Sequence, residues 1–213
     1  MKSSGLSRIT VRQAVSRVAK LGLIVRRRGL GTFVAPARIS QEWSALSGFY
    51  DLLAAQGVYP ESALLDFRRT IVPAGLAERL GAKSVTLSIK AYSVEKVVIG
   101  IFYTYLPNAK DITREMIASQ RSYDLLRQLG RRIARASVSV RAGKPNETVR
   151  NALSIGPTDP ILIVERTSYG HSGETVELTV GYVRSDMYEF TFNVNGSLSL
   201  TNALNIMTAG SSS

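Results

Sequence analysis

Residues 7–34 read SRITVRQAVSRVAKLGLIVRRRGLGTFV, and this stretch decides the fold class of the N-terminal part of the chain. Val11, Val15 and Val18 recur at the spacing of one helix face, so residues 7–22 are predicted to form an amphipathic helix. The basic side chains of the same segment lie off that apolar face. The first half of the stretch therefore predicts a helix with one apolar and one basic side.

A hairpin is predicted directly after this helix. The β-rich runs 23–25 and 32–34 flank RRRGLG, in which Gly29 and Gly31 supply the positive φ angles that a tight turn needs. A helix suited to a major groove, followed by a wing whose arginines contact phosphate or the minor groove, is typical of DNA-binding domains.

The positive charge of the chain is concentrated in the same region. The 213 residues include 27 Lys and Arg and 16 Asp and Glu, which gives a formal net charge of +11. Residues 1–41 contain nine basic residues and no acid, because the first carboxylate is Glu42, so they hold +9. The rest of the chain holds 18 basic and 16 acidic residues, or +2. A basic head on a nearly neutral body predicts a polyanion-binding segment attached to another domain.

Composition excludes several classes of protein. With 45% hydrophobic and 20% charged residues, the chain is able to bury a core. It has no apolar run long enough to span a bilayer and no secretory signal, so we expect a cytoplasmic protein without a membrane partner. Cysteine is absent, which excludes disulfide bonds and thiolate metal sites.

The motifs of the helix and hairpin resemble a known family. Ser-Arg-x-Thr-Val-Arg-x-Ala and Arg-x-x-Gly-x-Gly-Thr-Phe-Val are similar to the recognition helix and wing of GntR-type bacterial repressors. The resemblance implies DNA contacts by Arg8, Thr10 and Arg12 in the helix and by Arg28 and Gly29 at the wing tip. Two further helices precede this point in the family, and only MKSSGL precedes it here, so an incomplete winged helix is expected.

The body is predicted to combine strands joined by hairpins with short helices between them. Strands are predicted over 61–72, 86–94, 97–106, 133–141, 160–169, 175–184 and 189–194. Helices are predicted over 43–56, 73–81, 111–118, 122–129 and 146–153. This order favours an α+β fold with an antiparallel sheet over a parallel, doubly wound one.

The same elements, in this order, resemble the UTRA ligand-binding domain of HutC-type GntR regulators. The residues that carry the resemblance are Leu80-Gly81, Tyr105-Leu106-Pro107, Ser122 with Leu125-Leu126 and Gly130, Val164-Glu165-Arg166, Tyr169 with Gly173 and Val176-Glu177, and Arg184-Ser185-Asp186 with Tyr188 and Phe190. The resemblance implies a chorismate-lyase-like fold, with a mainly antiparallel sheet, flanking helices and a ligand pocket, in a homodimer.

Seven positions match those that contact ligand in family members that bind phosphorylated sugars. By that resemblance the effector contacts are Lys90, Tyr92, Phe102, Ser122, Asp124, Glu177 and Val183. Only Ser122 and Glu177 keep the family's residue type. Lys90 lacks the guanidinium fork that grips a phosphate in two places, and Asp124 adds an anion. A polar or zwitterionic metabolite with an apolar part is therefore expected in preference to a sugar phosphate.

Simpler structural roles compete with several of these assignments. Phe102 fits a plain core residue better than a ligand wall, Lys90 is long enough to reach solvent, and Arg184 with Asp186 fits a structural ion pair. A second basic cluster is interpreted as a solvated face rather than a binding surface. Its members are Arg121, Arg127, Arg131, Arg132, Arg135, Arg141 and Lys144.

Enzymatic activity is the weakest hypothesis for this chain. Its single histidine, His171, falls in a predicted turn, and there is no Gly-x-Ser-x-Gly motif and no phosphate-binding loop. The expected fold is shared with chorismate lyase, and that analogy is the sole support for turnover of a chorismate-like substrate. No cofactor and no metal site are expected.

The sequence thus predicts a bacterial transcriptional regulator, a repressor whose operator binding responds to a small metabolite. The predicted parts are a DNA-binding head over 1–35, a linker over 36–42, a UTRA domain over 43–194 and a flexible tail over 195–213. The alternative is an effector-binding fragment that no longer binds DNA because the first two helices are missing.

Overall fold

A computed structural model describes the chain over residues 8–20, 24–27, 31–34, 39–42 and 48–191. Predictions for the wing tip at Arg28 and Gly29, and for the tail over 195–213, lie outside these residues. The first five residues of the predicted helix over 43–56 also lie outside them.

The predicted basic helix and hairpin are both confirmed. Helix α1 spans Arg8–Lys20, and strands β1 (Ile24–Arg27) and β2 (Gly31–Val34) pair in antiparallel fashion. Gly31 has a φ of 114°, a value that glycine adopts readily because it has no Cβ. Gly31 thus has the positive φ expected of it, while Gly29 lies outside the described residues.

A short strand follows in the segment that the sequence assigns to the linker. Strand β3 (Ile39–Glu42) pairs in parallel with the last strand of the body, which spans Tyr188–Thr191. The segment between the wing and the body is therefore hydrogen-bonded to the body over four residues, where the sequence suggested only a connection.

Six long strands form one antiparallel sheet, which confirms the predicted fold class. They are β4 (Glu61–Ile71), β5 (Ser84–Val94), β6 (Val97–Pro107), β7 (Arg135–Gly143), β8 (Ile161–Tyr169) and β9 (Thr175–Arg184). Their order across the sheet is β4-β5-β6-β9-β8-β7, and the final strand of the chain, Tyr188–Thr191, is β10. Strands β6 and β9 are neighbours at the centre, so the side chains of two distant segments meet there.

Five short helices of the described body cover the two faces of this sheet. They are α2 (Phe49–Ala54), α3 (Ala77–Leu80, after a 3₁₀ turn at Ala74–Leu76), α4 (Arg114–Ser119), α5 (Ser122–Gln128) and α6 (Glu147–Leu153). Leu53 of α2, together with Leu125 and Leu126 of α5, packs on what we call the front face, which carries Phe102 and Leu106. Helices α3 and α6 pack on the opposite, back face through apolar residues such as Leu80 and Leu153.

Helix boundaries follow local capping. Asn146 caps α6 as predicted, because its side-chain oxygen accepts a hydrogen bond from the Val149 amide at 2.9 Å. The helix predicted over 111–118 begins later, at Arg114, because the Thr113 hydroxyl caps it and accepts from the Met116 amide at 3.3 Å.

Candidate ligand-binding site

A pocket with about 60 Å³ of free space lies between the front face, α2 and the N-terminal end of α5. The strands contribute alternate residues to it, because side chains on one face of a sheet recur every second position. The strand residues that line it are Tyr92, Phe102, Thr104, Val164, Arg166, Glu177 and Thr179. Helix α2 closes one side with Phe49 to Leu52, and Arg121, Ser122 and Tyr123 close another.

An ion pair lies at the floor of the pocket. The Arg166 guanidinium donates to both carboxylate oxygens of Glu177 at 3.2 and 3.3 Å. Glu177 is only 1% exposed, and it also accepts a hydrogen bond from the Thr179 hydroxyl at 2.8 Å. Thr179 in turn lies 3.2 Å from the Thr104 hydroxyl on the neighbouring strand. Because a buried charge is costly without partners, this network is what allows a carboxylate and a guanidinium to line the same apolar sheet.

Aromatic rings form the opposite wall. The Phe49 ring of α2 lies 4.3 Å from Phe102 and 5.4 Å from Tyr92, and Tyr92 meets Phe102 edge-on at 5.4 Å. Burial raises the pKa of Tyr92 to about 12, and the nearby Glu177 carboxylate adds to that rise. The Tyr92 phenol is therefore neutral at physiological pH and adds no charge to the pocket.

A second ion pair closes the rim between α2 and α5. Arg121 donates to the Asp51 carboxylate at 2.8 Å, and its guanidinium lies 4.3 Å from the centre of the Tyr50 ring. Asp51 also accepts a hydrogen bond from the Gly48 amide at 3.3 Å, so the same carboxylate caps α2. These contacts fix α2 to the start of α5 and so hold the pocket closed on that side.

Tyr123 connects the rim to the floor. The Arg166 guanidinium lies 4.6 Å from the centre of the Tyr123 ring, which points into the same pocket. Burial raises the pKa of the Tyr123 phenol, and the Arg166 charge opposes that rise. Arg166 is thus held from two sides, by a carboxylate and by an aromatic ring.

The structure brings together four of the seven effector contacts expected from the sequence. Tyr92, Phe102, Ser122 and Glu177 all line the pocket. Phe102 is 7% exposed and belongs to the core cluster, which fits the core role weighed for it. It also borders the pocket, and its contact with a ligand there stays a prediction.

Lys90 lies on the front face beside Phe102 but does not line the pocket. Its ammonium group donates to the Gln120 carbonyl at 3.1 Å, at the end of α4, and the residue is 8% exposed. The suggestion that it reaches solvent was therefore wrong. Burial lowers the pKa of Lys90, and its contact with Gln120 fixes the segment that leads into α5.

Asp124 and Val183 also lie outside the pocket. The Asp124 side chain is 49% exposed and pairs with Arg127 at 2.8 Å one turn along α5, so its charge faces solvent rather than a ligand. Val183 is fully buried in the core cluster that contains Phe102 and Val164, which leaves no surface for a ligand.

The sequence reasoning missed Arg166 and Thr179 as pocket residues. Two signals were present. Arg166 belongs to the Glu-Arg motif on β8, and on β9 the polar residues Glu177 and Thr179 alternate with the apolar residues Val176, Leu178 and Val180. Alternation places both β9 residues on one face, and the register Arg166–Thr179 brings the arginine beside them.

The DNA-contact residues expected from the wing motif are described only in part. Arg8 begins α1, and Thr10 and Arg12 are exposed on it. Of the second basic cluster, Arg121 and Arg127 pair with carboxylates, and Arg131 donates to Asp111 at 2.8 Å. Arg184 pairs with Asp186 at 2.7 Å, as the structural interpretation predicted.

Within the described ranges, no group of three or more His, Cys, Asp or Glu side chains is placed to hold a metal ion. Likewise, none of the described helices combines the length and the apolar character that a membrane crossing requires.

Residues 55–189 match the family model for the UTRA domain. The chain belongs to the UTRA family. Among its relatives, the HTH-type transcriptional regulator Rv0792c of Mycobacterium tuberculosis is 33% identical, over 88% of this chain and 72% of that protein. The HTH-type transcriptional repressor NagR of Bacillus subtilis is 27% identical, over 87% of this chain and 79% of the repressor.

Solved structures agree with this UTRA assignment at the level of the fold. The crystal structure of PhnF from Mycobacterium smegmatis superposes with a TM-score of 0.70 at 23% identity, covering 90% of this chain and 87% of PhnF. The relatives are regulators, so this UTRA protein is a GntR-type, ligand-responsive transcriptional regulator. These relatives are transcriptional regulators and not enzymes, which supports a regulator over the chorismate-lyase-like enzyme that fold analogy left open.

Proposed function

We propose that this UTRA protein is a cytoplasmic, homodimeric repressor whose affinity for operator DNA is modulated by a small metabolite in the pocket. In this proposal residues 1–35 contact DNA and residues 43–194 bind the effector. Residues 36–42 link these two parts, and residues 195–213 form a flexible tail. The residues assigned to DNA contact are Arg8, Thr10, Arg12, Arg28 and Gly29. The basic surface of α1, where Thr10 and Arg12 are exposed, supports that assignment.

The effector in this proposal is a polar or zwitterionic metabolite with an apolar part. The observation that carries it is the Arg166–Glu177 pair at the floor, opposite the rings of Tyr92 and Phe102. A ligand carboxylate suits Arg166 and a ligand ammonium suits Glu177, while the apolar part packs on the rings. Such a ligand keeps both buried charges paired, which a purely anionic ligand does not do for Glu177.

The same geometry weighs against a sugar phosphate. Lys90, the cation expected at the phosphate position, donates to Gln120 instead of lining the pocket. The cations that do line it, Arg121 and Arg166, already pair with Asp51 and Glu177. A phosphate dianion would therefore meet two carboxylates as well as two guanidinium groups, which reduces its net attraction.

Thermal-shift and calorimetric titrations test the effector class. Amino acids and amino-acid catabolites are titrated beside sugar phosphates such as glucose 6-phosphate. We expect a zwitterion to raise the melting temperature of the wild type, and Arg166→Gln to remove that response. Ser122→Ala, a milder pocket variant, should weaken binding without loss of the fold.

The matched control is Arg127→Gln. The Arg127 side chain is 76% exposed and lies outside the pocket, so this variant should bind like the wild type. Tight binding of a sugar phosphate with no zwitterion response would contradict the proposal.

Operator binding is tested separately by fluorescence anisotropy with promoter duplexes at several salt concentrations. Contacts to phosphate predict an affinity that falls steeply with salt, and addition of the effector should release the duplex. Arg12→Gln should weaken binding and flatten the salt dependence. Absence of binding at low salt would refute DNA binding by this chain.

One observation favours the alternative of an effector-binding protein that does not bind DNA. Ile9 and Val11 on α1 are 70% and 46% exposed, although helices of this kind normally bury their apolar side chains. In that case the anisotropy assay would stay flat while the thermal response to the effector remained.

A further inference from the structure

Two glycines interrupt the layer of side chains at the centre of the front face. Gly100 on β6 and Gly181 on β9 belong to the two middle strands of the sheet. Gly181 stands directly opposite Phe102, and Gly100 precedes Phe102 by two positions, so all three lie on the same face. Neither glycine has a positive φ, so the backbone conformation does not require them. Glycine inside a strand often marks a place where another group approaches the backbone closely.

The group that approaches them is the ring of Phe102, which lies over both glycines. A Cβ on Gly181 would meet the ring atom Cε1 and come within 2.7 Å of Cδ1. A Cβ on Gly100 would come within 2.8 Å of the ring atom Cε2. Non-bonded carbon atoms pack at about 3.5–4.0 Å, so a side chain at either position would displace the ring.

Other aromatic rings hold Phe102 against this glycine seat. Phe49 of α2 packs on Phe102 with a distance of 4.3 Å between the ring centres, and Tyr92 meets it edge-on at 5.4 Å. All three aromatic residues line the pocket. The Phe102 ring thus lies between the sheet and α2, at the border of the free space. A change that lifts the ring from the sheet therefore reduces the space for a ligand.

The free space beside the ring is small. A water-sized group occupies about 10–15 Å³ of such space, so the 60 Å³ of the pocket holds about four to six groups of that size. A zwitterion such as alanine is of about this size, whereas the benzyl group of phenylalanine alone exceeds it. The position of the Phe102 ring thus limits the apolar part of a ligand.

We propose that Gly100 and Gly181 set the size limit of the effector by seating the Phe102 ring against the sheet. The pocket then accepts a zwitterion whose apolar part is a short aliphatic group, and it rejects zwitterions that carry an aromatic ring. The inference rests on the zwitterionic effector of the proposed function and adds the residues that limit its size. The two glycines are positioning residues, because they act through Phe102 and do not touch the ligand.

Calorimetric titration of the full chain tests the size limit. The small zwitterions are alanine, β-alanine and γ-aminobutyrate, and the large ones are phenylalanine and tyrosine. We expect the wild type to bind a small zwitterion and to show no measurable binding of a large one. Phe102→Ala removes the ring and should reverse this preference, because the enlarged pocket takes an aromatic side chain. A folded Phe102→Ala variant that keeps the preference of the wild type would overturn the size limit.

Gly181→Ala tests the glycine seat itself. The added methyl group lifts the ring into the pocket, so affinity for the small zwitterion should fall by at least about tenfold. Valine ends at Cγ and lacks the ring atoms that a Cβ at position 181 meets. In the Phe102→Val background the same Gly181→Ala change should therefore cost less than about twofold. An equal loss in both backgrounds would show that the methyl group does not act through Phe102, and would overturn the role of the seat.

The matched control is Gly143→Ala on the edge strand β7. A Cβ there would come within 2.5 Å of the Ile163 side chain, a comparably tight contact outside the pocket. This variant should bind the small zwitterion like the wild type. Circular dichroism checks that each variant is folded.

The outcomes separate this inference from the proposed function. A wild type that binds large and small zwitterions equally well would overturn the size limit alone and leave the zwitterionic effector in place. A wild type that binds none of these zwitterions would overturn both.

Discussion

The Arg166–Glu177 pair is the residue-level feature on which the pocket depends. Glu177 is 1% exposed and Arg166 is 12% exposed, so removal of one partner leaves the other charge buried without its counterion. We predict that Glu177→Ala lowers the free energy of unfolding by about 3–5 kcal/mol. The double variant Arg166→Met/Glu177→Leu, which removes both charges and keeps the volume, should be much less destabilised.

Urea denaturation followed by circular dichroism measures both variants. If the single and double variants were equally destabilised, the loss would come from packing rather than from an uncompensated charge. The control Asp124→Ala removes a carboxylate that is 49% exposed, and it should change stability by less than about 1 kcal/mol.

Tyr92 provides a pH-dependent test of the buried wall. Its ordinary pKa is 10.0, and in the folded protein it rises to about 12 because of burial. The fold therefore favours the neutral phenol. Its contribution to stability is complete below pH 10 and is lost as the pH rises from 10 towards about 12. The loss amounts to about 1.4 kcal/mol per pH unit in that window.

Tyr92→Phe isolates this contribution because phenylalanine does not titrate. The difference in unfolding free energy between the wild type and Tyr92→Phe should be constant from pH 8 to 9.5. At pH 10.5 and 11 the wild type should lose unfolding free energy relative to Tyr92→Phe. Parallel curves throughout that range would show that the phenol is not buried as described.

At the level of elements, the β5–β6 hairpin is built on an unfavourable turn. Glu95 and Lys96 have φ values of 50° and 67°, in the left-handed region that residues other than glycine, asparagine and aspartate avoid. The turn is formed because two eleven-residue strands pair on either side of it, not because its sequence prefers it. Tertiary pairing here overrides local preference.

Replacing the turn by Glu95→Asn/Lys96→Gly should therefore stabilise the protein by about 1 kcal/mol, because Asn-Gly suits two consecutive left-handed residues. Thermal and urea unfolding measure the gain. The control is Lys96→Ala, which keeps a Cβ in the left-handed position and should bring no gain. Equal stability of all three proteins would mean that the turn carries no strain.

At the level of the whole molecule, strand pairing joins the effector domain to the segment that follows the wing. Strand β3 pairs with β10, and β10 follows β9, which carries Glu177 of the pocket. The pocket floor is thus connected to the segment after the wing by the chain from β9 to β10 and by the hydrogen bonds between β10 and β3.

Thermodynamic linkage gives the corresponding prediction. If the effector lowers affinity for operator DNA by some factor, operator DNA must lower affinity for the effector by the same factor. Calorimetric titration of the effector, with and without saturating duplex, gives the factor by which DNA changes affinity for the effector. This factor is compared with the factor by which the effector changes affinity for DNA, taken from the anisotropy assay. Unequal factors would show that release of DNA has another cause, such as direct competition at a second site.

The sequence by itself determined the elements of this protein. Hairpin turns, helix caps and the alternation of polar and apolar residues along a strand depend on residues that are close in the chain. The antiparallel α+β fold could therefore be predicted from such local signals, as Asn146 at the start of α6 illustrates. The family also followed, because its motifs are short runs of neighbouring residues. The basic helix and wing of residues 7–34 are of this kind.

Only the tertiary structure decided which side chains meet. Lys90 and Asp124 stand at positions where a ligand contact was expected, yet the Lys90 ammonium group binds the end of α4 and Asp124 turns to solvent. Arg166 and Thr179 meet Glu177 only because β8 and β9 pair in one register. The direction of a long side chain depends on the charges and helix ends that packing brings within its reach. Those distances do not exist until the sheet and its helices have assembled.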